Sequence, residues 1–191
     1  MNFRKRTSRR RSYNIAGHAH ELTFSCYHGF KFLSAERTCL WLAEAIDATR
    51  NKLDVGLWAF VFMPEHVHLI VHPRKPEYEI SEILKSLKNP VSRKALAFLR
   101  KESPEWLRKV EQKRGTRTEY HFWQPGGRYD RNITESVTLL KMIDYLHLNP
   151  VRRRLVERVS DWRWSSASCS QGENDGPLKL DPIPPEWLVE G

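Results

Sequence analysis

The sequence predicts an α+β fold with a largely antiparallel sheet, and three observations support this prediction. Several short stretches alternate apolar and polar residues or form continuous apolar runs, as strands do. Longer stretches between them carry apolar residues at helical spacing. The chain has 191 residues, of which 40% are hydrophobic, so it is long enough to form one domain with a buried core.

Seven elements follow from these patterns. In chain order they are a strand at 20–26, a helix at 35–51, strands at 57–62 and 66–72, a helix at 79–101, a strand at 119–123 and a helix at 135–148. The first six match the split βαββαβ order of ferredoxin-like folds, and the seventh adds a C-terminal helix. The tight connection between 62 and 66 predicts an antiparallel hairpin, and the polar segment 102–118 predicts a surface connection.

Local signals set the expected ends of these elements. Ser34 and Thr134 are the predicted N-caps of the first and last helices. Pro90 predicts a kink or a break into two helices, and Pro150 is expected to stop the last helix. Residues 124–127 predict a turn.

The two ends of the chain differ from the central part in composition. Residues 1–12 form a basic block, which is expected to be disordered when free and to serve either as an arm for DNA phosphates or as a solubilising tail. Residues 169–191 include a stretch rich in Gly, Pro and acidic residues, which predicts a mobile tail. One domain is therefore expected at 13–168. The basic residues of the arm are Arg4, Lys5, Arg6, Arg9, Arg10 and Arg11.

Charge and residue usage limit the possible functions. The formal net charge of +9 favours a polyanionic partner such as nucleic acid, and a basic protein without such a partner is the alternative. The three cysteines lack Cys-x-x-Cys spacing, which excludes a zinc ribbon. No run reaches the roughly 18 apolar residues that span a bilayer, and no signal peptide is recognised, so we expect a cytoplasmic protein with no membrane partner.

Two histidines form the first candidate site. His66 and His68 are two residues apart on a predicted strand and therefore point to the same face, while Val67 and Leu69 point to the other. Imidazoles at this spacing can hold one divalent metal, but two ordinary sheet histidines are an equally good interpretation of the pair alone. His72 shares the face, lies further along the strand and is a weaker candidate.

The last predicted helix carries the second candidate site. Tyr145 and Asn149 are four residues apart, so a phenol and an amide project from one helical face. The amide oxygen could join two histidine nitrogens as a metal ligand, and such mixed ligation suits Mg²⁺ or Mn²⁺. The alternative is a tyrosine packed in the core and an asparagine that ends the helix before Pro150.

Several segments together resemble one protein family. Met63–Ile70 is similar to the His-hydrophobic-His motif of the single-tyrosine HUH endonucleases. Asp144–Arg152 is similar to the helix motif of the REP-associated tyrosine transposases in that superfamily. Three further segments resemble pieces of the same family in the same order: Phe122–Gln124, Tyr129–Asp130 and Asp161–Ser166. The resemblance covers about residues 13–168.

The resemblance implies a metal-dependent endonuclease and transposase that cleaves and rejoins DNA through a 5′-phosphotyrosine intermediate. It implies His66, His68 and Asn149 as ligands of Mg²⁺ or Mn²⁺ and Tyr145 as the nucleophile. Tyr129, which follows a Gly-rich turn, is a rival nucleophile without a helical partner at i+4. The expected substrate is single-stranded or hairpin DNA, and the enzyme is expected to act as a monomer or a homodimer.

Further basic and aromatic residues are candidate DNA contacts. Besides the arm, they are Lys141, Arg152, Arg153, Arg154, Arg158, Trp162 and Trp164. Lys141 lies one turn before Tyr145 and could contact phosphate, assist the phenol or lie on a solvated helix face. The tryptophans could stack on unpaired bases, and at least one of them is expected to be buried. Thr134 stands where the family pattern has Arg, which leaves the DNA sequence open.

Three other functions stay open at this point. A ferredoxin-like sheet with a basic surface could be a nucleic-acid-binding module without catalysis, such as an RNA-binding domain, but the histidine pair is then unexplained. A metal-dependent hydrolase of small substrates has no need of a net charge of +9. A degenerate transposase that acts only as a DNA-binding protein would retain the same residue types.

Overall fold

The structure is a computed structural model that describes residues 14–167 and 176–188, without the side chains of residues 127–129. That part of the chain forms strands and α-helices in mixed order. The strands are β1 (Ala19–Cys26), β2 (Val55–Phe62), β3 (His66–Pro73), β4 (Glu111–Arg114), β5 (Arg117–Tyr120) and β6 (Trp123–Ile133). The helices are α1 (Glu36–Leu53), α2 (Ile80–Glu102), α3 (Pro104–Lys109) and α4 (Ser136–Arg152).

A four-stranded sheet forms the centre of the fold. Its order is β2-β3-β1-β6, and every pair of neighbours is antiparallel. Helix α1 connects β1 to β2, and α2 lies between β3 and β6 in the chain. The predicted ferredoxin-like arrangement with an additional C-terminal helix is therefore confirmed.

The two faces of the sheet pack against different helices. On β1, Leu22 and Phe24 point into the larger apolar cluster, which also contains the buried residues of α1 and α2. Thr23 lies between them and therefore points to the opposite face. A smaller apolar cluster, which includes Leu146 of α4, covers part of that second face. Polar side chains of β1 and β3 thus face α4.

The connection between α2 and β6 is more structured than the sequence predicts. In place of a surface connection at 102–118, the chain forms α3 and the β4–β5 hairpin. The strand expected at 119–123 is divided between the ends of β5 and β6. Charged and polar residues dominate β4 and β5, so no apolar periodicity marks these strands in the sequence.

Strand β6 runs through residues 124–127, which the sequence predicts to be a turn. This strand lies at the edge of the sheet, where a proline such as Pro125 is tolerated. Gly126 has a φ of 66°, and the pairing with β1 changes register between Phe24 and Cys26. The turn residues therefore form a bulge within an edge strand.

The helix ends also differ from the prediction. Helix α2 is one continuous helix through Pro90, and α4 continues past Pro150. Within the described chain neither α1 nor α4 has a side-chain cap at its start, so Ser34 and Thr134 are not the caps that we expected. Across residues 14–167 and 176–188, no helix is long and apolar enough to cross a membrane.

Part of the segment predicted to be a mobile tail packs against the domain. Leu178 is buried in the larger apolar cluster. The Asp181 carboxylate accepts hydrogen bonds from the Leu57 backbone N–H at 2.8 Å and from the guanidinium groups of Arg50 and Arg74 at 2.6 Å each. Because Leu57 belongs to the edge strand β2, this segment covers part of an edge that would otherwise be open.

Candidate active site

His66 and His68 lie side by side at the start of β3, on the face of the sheet that α4 covers. Their ring centroids are 4.9 Å apart and the rings are inclined by 81°. Nδ1 of His66 lies 3.1 Å from Oε1 of Glu65, and Nδ1 of His68 lies 2.8 Å from Oγ1 of Thr23. In the described part of the chain, neither Nε2 atom has a hydrogen-bond partner. Each ring is therefore held through one nitrogen, and the other nitrogen is left for a ligand.

The lowered pKa of His66 also favours metal binding. Burial lowers the pKa of His66, and the neighbouring His68 ring lowers it further, while the Glu65 carboxylate opposes both effects. A lowered pKa keeps the imidazole neutral at neutral pH, and only a neutral imidazole binds a metal.

A divalent cation fits this pair of residues. Histidine ligands of metals almost always bond through their second ring nitrogen to a carboxylate or another polar group, which fixes the ring orientation. Glu65 and Thr23 form such contacts here. No group of three His, Cys, Asp or Glu side chains that could hold a metal occurs in the described residues. Any third protein ligand therefore has to be of another type, such as an amide.

Tyr145 projects from α4 towards the same region. Its side chain is 48% exposed, unlike its neighbour Leu146, which is buried. Tyr145 and His68 line one pocket of about 580 Å³. The other residues that line this pocket are Glu21, Thr23, Arg131, Thr138, Lys141 and Met142. The structure thus brings the tyrosine and one histidine of the predicted site together.

Two predicted DNA contacts bind protein groups at the end of α4. The Arg152 guanidinium lies over the Tyr145 ring, 4.8 Å from its centroid. Nη2 of Arg153 lies 2.9 Å from Oε1 of Glu65, the same oxygen that contacts His66. Consecutive arginines therefore reach the candidate nucleophile and the partner of a candidate metal ligand.

Asn149 has a clear structural contact as well as its predicted role. Its side-chain amide nitrogen donates to the backbone carbonyls of Tyr145 at 2.9 Å and Leu146 at 3.3 Å. Pro150 has no N–H and cannot bond to the Leu146 carbonyl, four residues earlier, so the Asn149 amide takes the place of that donor. Because carbonyls only accept, the amide nitrogen is assigned and Oδ1 points away from these bonds.

The other residues predicted to contact DNA lie in several different environments. Lys141 is exposed and lines the pocket with Tyr145. The Trp162 indole packs in the smaller apolar cluster, and its Nε1 donates to the Phe62 carbonyl at 3.0 Å, so it is a packing residue in this structure. Trp164 stacks on Phe62, and Arg158 pairs with Asp161. The basic arm with Arg4, Lys5, Arg6, Arg9, Arg10 and Arg11 lies outside the described residues.

Sequence reasoning missed four residues near the site: Glu21, Thr23, Glu65 and Arg131. The alternation of β1 places Glu21 and Thr23 on its polar face, but the sequence does not reveal which strand lies beside them. The register pairs Thr23 with His68 and Glu21 with Arg131. The sequence marks Glu65 only as part of a break between two strands. Long-range pairing, rather than any local signal, assembles this part of the pocket.

Comparisons with known proteins identify the family of this chain. A model of the family described as transposase IS200 like matches residues 22–149, about two thirds of the chain. No match is found among curated protein sequences. The matched range includes β3 with both histidines and most of α4 with Tyr145 and Asn149.

One solved structure has a similar fold. It is a REP-associated tyrosine transposase bound to a REP hairpin, with 19% sequence identity and a TM-score of 0.67. That comparison covers 97% of this chain and 95% of the other. A second solved structure is a candidate transposase from Deinococcus radiodurans R1, with 18% identity and a TM-score of 0.45, covering 72% of this chain and 97% of the other. From the family match, this chain belongs to the IS200-like transposases.

Proposed function

We propose that this protein is a metal-dependent, REP-associated transposase that cleaves and rejoins single-stranded DNA with Tyr145 as the nucleophile. One observation carries this proposal. The half-exposed Tyr145 phenol and the candidate metal ligand His68 line the same pocket, although they are 77 residues apart in the sequence. A tyrosine and a histidine with purely structural roles have no need to line the same open pocket.

His66 and His68 are the proposed metal ligands, through their Nε2 atoms. Asn149 is the proposed third ligand, because its amide nitrogen is occupied and only Oδ1 is available. Nitrogen and amide-oxygen donors suit Mg²⁺ or Mn²⁺ better than a soft metal. When bound, such an ion polarises the scissile phosphate and neutralises the charge that develops on it.

Tyr145 performs the covalent step in this proposal. The phenol oxygen forms a bond to phosphorus, the bond from phosphorus to the 3′ oxygen breaks, and the leaving oxygen is protonated to a 3′ hydroxyl. The phenol proton passes to solvent. The product is a 5′-phosphotyrosine, which keeps the phosphodiester bond energy. A second DNA 3′ hydroxyl can then reverse the step, so that strands are joined without ATP.

Two cations in the pocket are suited to the phosphate. Lys141 lies one helical turn before Tyr145, and Arg131 lies on β6 across the pocket. Both side chains are exposed. We assign them to the non-bridging phosphate oxygens, where positive groups hold the phosphate in line with the attacking phenol.

The proposed substrate is single-stranded DNA that carries a hairpin. The net charge of +9 suits a polyanion. A protein of the same fold has been solved with a REP hairpin, which makes a hairpin the first substrate to test. The basic arm and the exposed Arg154 are the remaining proposed phosphate contacts, and the protein is proposed to act in the cytoplasm as a monomer or homodimer.

Two differently labelled hairpin DNAs test the function. With Mn²⁺, DNA labelled at its 3′ end should transfer label to the protein in a denaturation-resistant adduct. DNA labelled at its 5′ end should instead release a free fragment with a 3′ hydroxyl. Both products should disappear with a chelator. Tight binding without cleavage of either DNA would contradict the proposal and favour a protein that only binds DNA.

A further inference from the structure

The short connection between β2 and β3 is held firmly on several sides. Met63 N–H donates to the His66 carbonyl at 2.8 Å, Leu33 N–H to the Pro64 carbonyl at 2.9 Å and Cys26 N–H to the Glu65 carbonyl at 2.8 Å. Backbone bonds from two neighbouring segments therefore fix Pro64 and Glu65 in place. A side chain on such a connection can position another group, because hydrogen bonds hold its own backbone.

The Glu65 side chain in this connection contacts both His66 and Arg153. It is 17% exposed, and Oε1 lies 3.1 Å from Nδ1 of His66 and 2.9 Å from Nη2 of Arg153. The same carboxylate oxygen therefore accepts from His66 and forms an ion pair with Arg153. In the described residues, the other oxygen, Oε2, is buried without a hydrogen-bond partner. A mostly buried carboxylate is destabilising without an opposite charge beside it, and the Arg153 guanidinium supplies that charge.

Arg153 connects this carboxylate to the nucleophile's helix. It is the residue that follows α4, and its backbone N–H donates to the Asn149 carbonyl at 3.0 Å. Arg153, Glu65 and His66 therefore form a continuous chain of contacts from the end of α4 to the start of β3. The Arg153 side chain is 53% exposed, but its guanidinium is directed to a protein carboxylate.

We propose that Glu65 and Arg153 are positioning residues that orient His66 for the metal and set α4 against β3. The inference rests on the metal site of the proposed function and assigns to Arg153 a role other than DNA contact. Glu65 accepts from Nδ1–H of His66, which leaves Nε2 unprotonated and turned to the ligand side. Arg153 compensates the charge of Glu65 and ties the nucleophile's helix to the metal-binding strand.

The test measures Mn²⁺ binding to the full-length, DNA-free protein by titration calorimetry. Glu65→Ala should weaken binding about 10- to 100-fold, the usual effect of removing the partner of a metal-binding histidine. Glu65→Gln should weaken it less, because its amide oxygen still accepts from His66. Arg153→Ala should weaken binding in the same direction. Arg154→Ala is the matched control, since it removes a neighbouring exposed arginine, and should leave the Mn²⁺ affinity unchanged.

The salt dependence of DNA binding separates positioning from DNA contact. If Arg153 bound a DNA phosphate, Arg153→Ala would reduce the slope of log affinity against log salt by about one. The proposal expects an unchanged slope in this variant. Unchanged Mn²⁺ affinity in Glu65→Ala and Arg153→Ala, with binding abolished in His66→Ala, would overturn the positioning role and leave the metal site standing. Unchanged binding in His66→Ala would overturn the metal site and the positioning role together.

Discussion

The two faces of the central sheet use histidine in opposite ways. On the face towards α1 and α2, His20 is fully buried, with Nδ1 at 2.8 Å from Oδ1 of Asp130 and Nε2 at 2.7 Å from the Tyr78 hydroxyl. On the face towards α4, His66 and His68 are each bonded through Nδ1 alone within the described chain. A histidine with both nitrogens occupied is a structural residue, whereas one with a free nitrogen can bind a ligand.

The two faces of the sheet also differ in how completely apolar side chains cover them. The larger apolar cluster fills the first face, whereas the smaller cluster leaves room beside it for the open pocket around Tyr145. Substitutions on the first face should therefore affect stability, and substitutions around the pocket should affect cleavage. Variants on each face can test this division.

The largest effect is expected from His66→Ala and His68→Ala. A catalytic metal contributes several kcal/mol to the stabilisation of developing charge, so each variant should lose about 10³-fold or more in the rate of DNA cleavage. Circular dichroism should show an intact fold. His72→Phe is the control on the same strand, since His72 stacks on Trp58 and phenylalanine keeps that stacking. Cleavage at the normal rate in both alanine variants would contradict the metal assignment.

His20→Ala should mainly destabilise the fold. It leaves the Asp130 carboxylate, which is 5% exposed, without its imidazole partner, and it removes a contact to Tyr78. A decrease of about 3 kcal/mol in the free energy of unfolding is expected. Urea denaturation measures this decrease, and Mn²⁺ affinity below the midpoint should be unchanged. A selective decrease of Mn²⁺ affinity in a fully stable protein would contradict the division between the faces.

Ser166→Ala should have a smaller effect on stability. The buried Ser166 hydroxyl accepts from the Phe60 N–H at 2.9 Å and contacts Nε2 of His147 at 2.8 Å, so it joins α4 to the edge strand β2. Its removal should cost about 1–2 kcal/mol, again by urea denaturation. Ser160→Ala, at a solvent-exposed contact, is the control and should be close to neutral. Equal stability in the two variants would show that the hydroxyl does not support α4.

The smallest expected effect is a dependence of stability on pH. Burial lowers the pKa of His66, His72 and His147 below the ordinary value of about 6.5. Below that value the unfolded chain binds more protons than the folded protein, so stability falls as the pH falls towards the lowered values. Metal-free protein should therefore unfold at lower urea concentration at pH 5.5 than at pH 7.5, and His147→Gln should reduce the difference. Equal midpoints at the two pH values would contradict this expectation.

Much of the fold could be predicted because its elements have strong local patterns. The apolar run of β2, the alternation of β1 and the periodicity of α1 mark these elements to within a few residues. Proline and glycine gave wrong predictions of turns and helix ends where the surrounding structure tolerates them inside a strand or a helix. Pro125 and Gly126 form a bulge in an edge strand, and Pro150 lies inside α4 because Asn149 supplies the missing donor.

Less of the site could be predicted from the sequence. His66, His68 and Tyr145 were identified by spacing and by resemblance, and the structure places His68 and Tyr145 in one pocket. The contact between Glu65 and Arg153 depends on how the end of α4 lies beside the β2–β3 connection, which no local pattern records. Helical spacing also does not reveal which apolar residues of α4 are buried: Leu139 and Leu146 make the buried contacts, whereas Val137 and Leu148 are about 40% exposed.

The identity of the attacking residue is the central claim, and mapping the covalent adduct tests it most directly. The adduct formed with hairpin DNA and Mn²⁺ should be digested with nuclease and protease and the peptides analysed by mass spectrometry. We expect the nucleotide on the peptide that contains Tyr145, no adduct in Tyr145→Phe and an unchanged adduct in Tyr129→Phe. A nucleotide on Tyr129 or on any other residue, or an adduct that persists in Tyr145→Phe, would contradict the assignment of Tyr145 as the nucleophile.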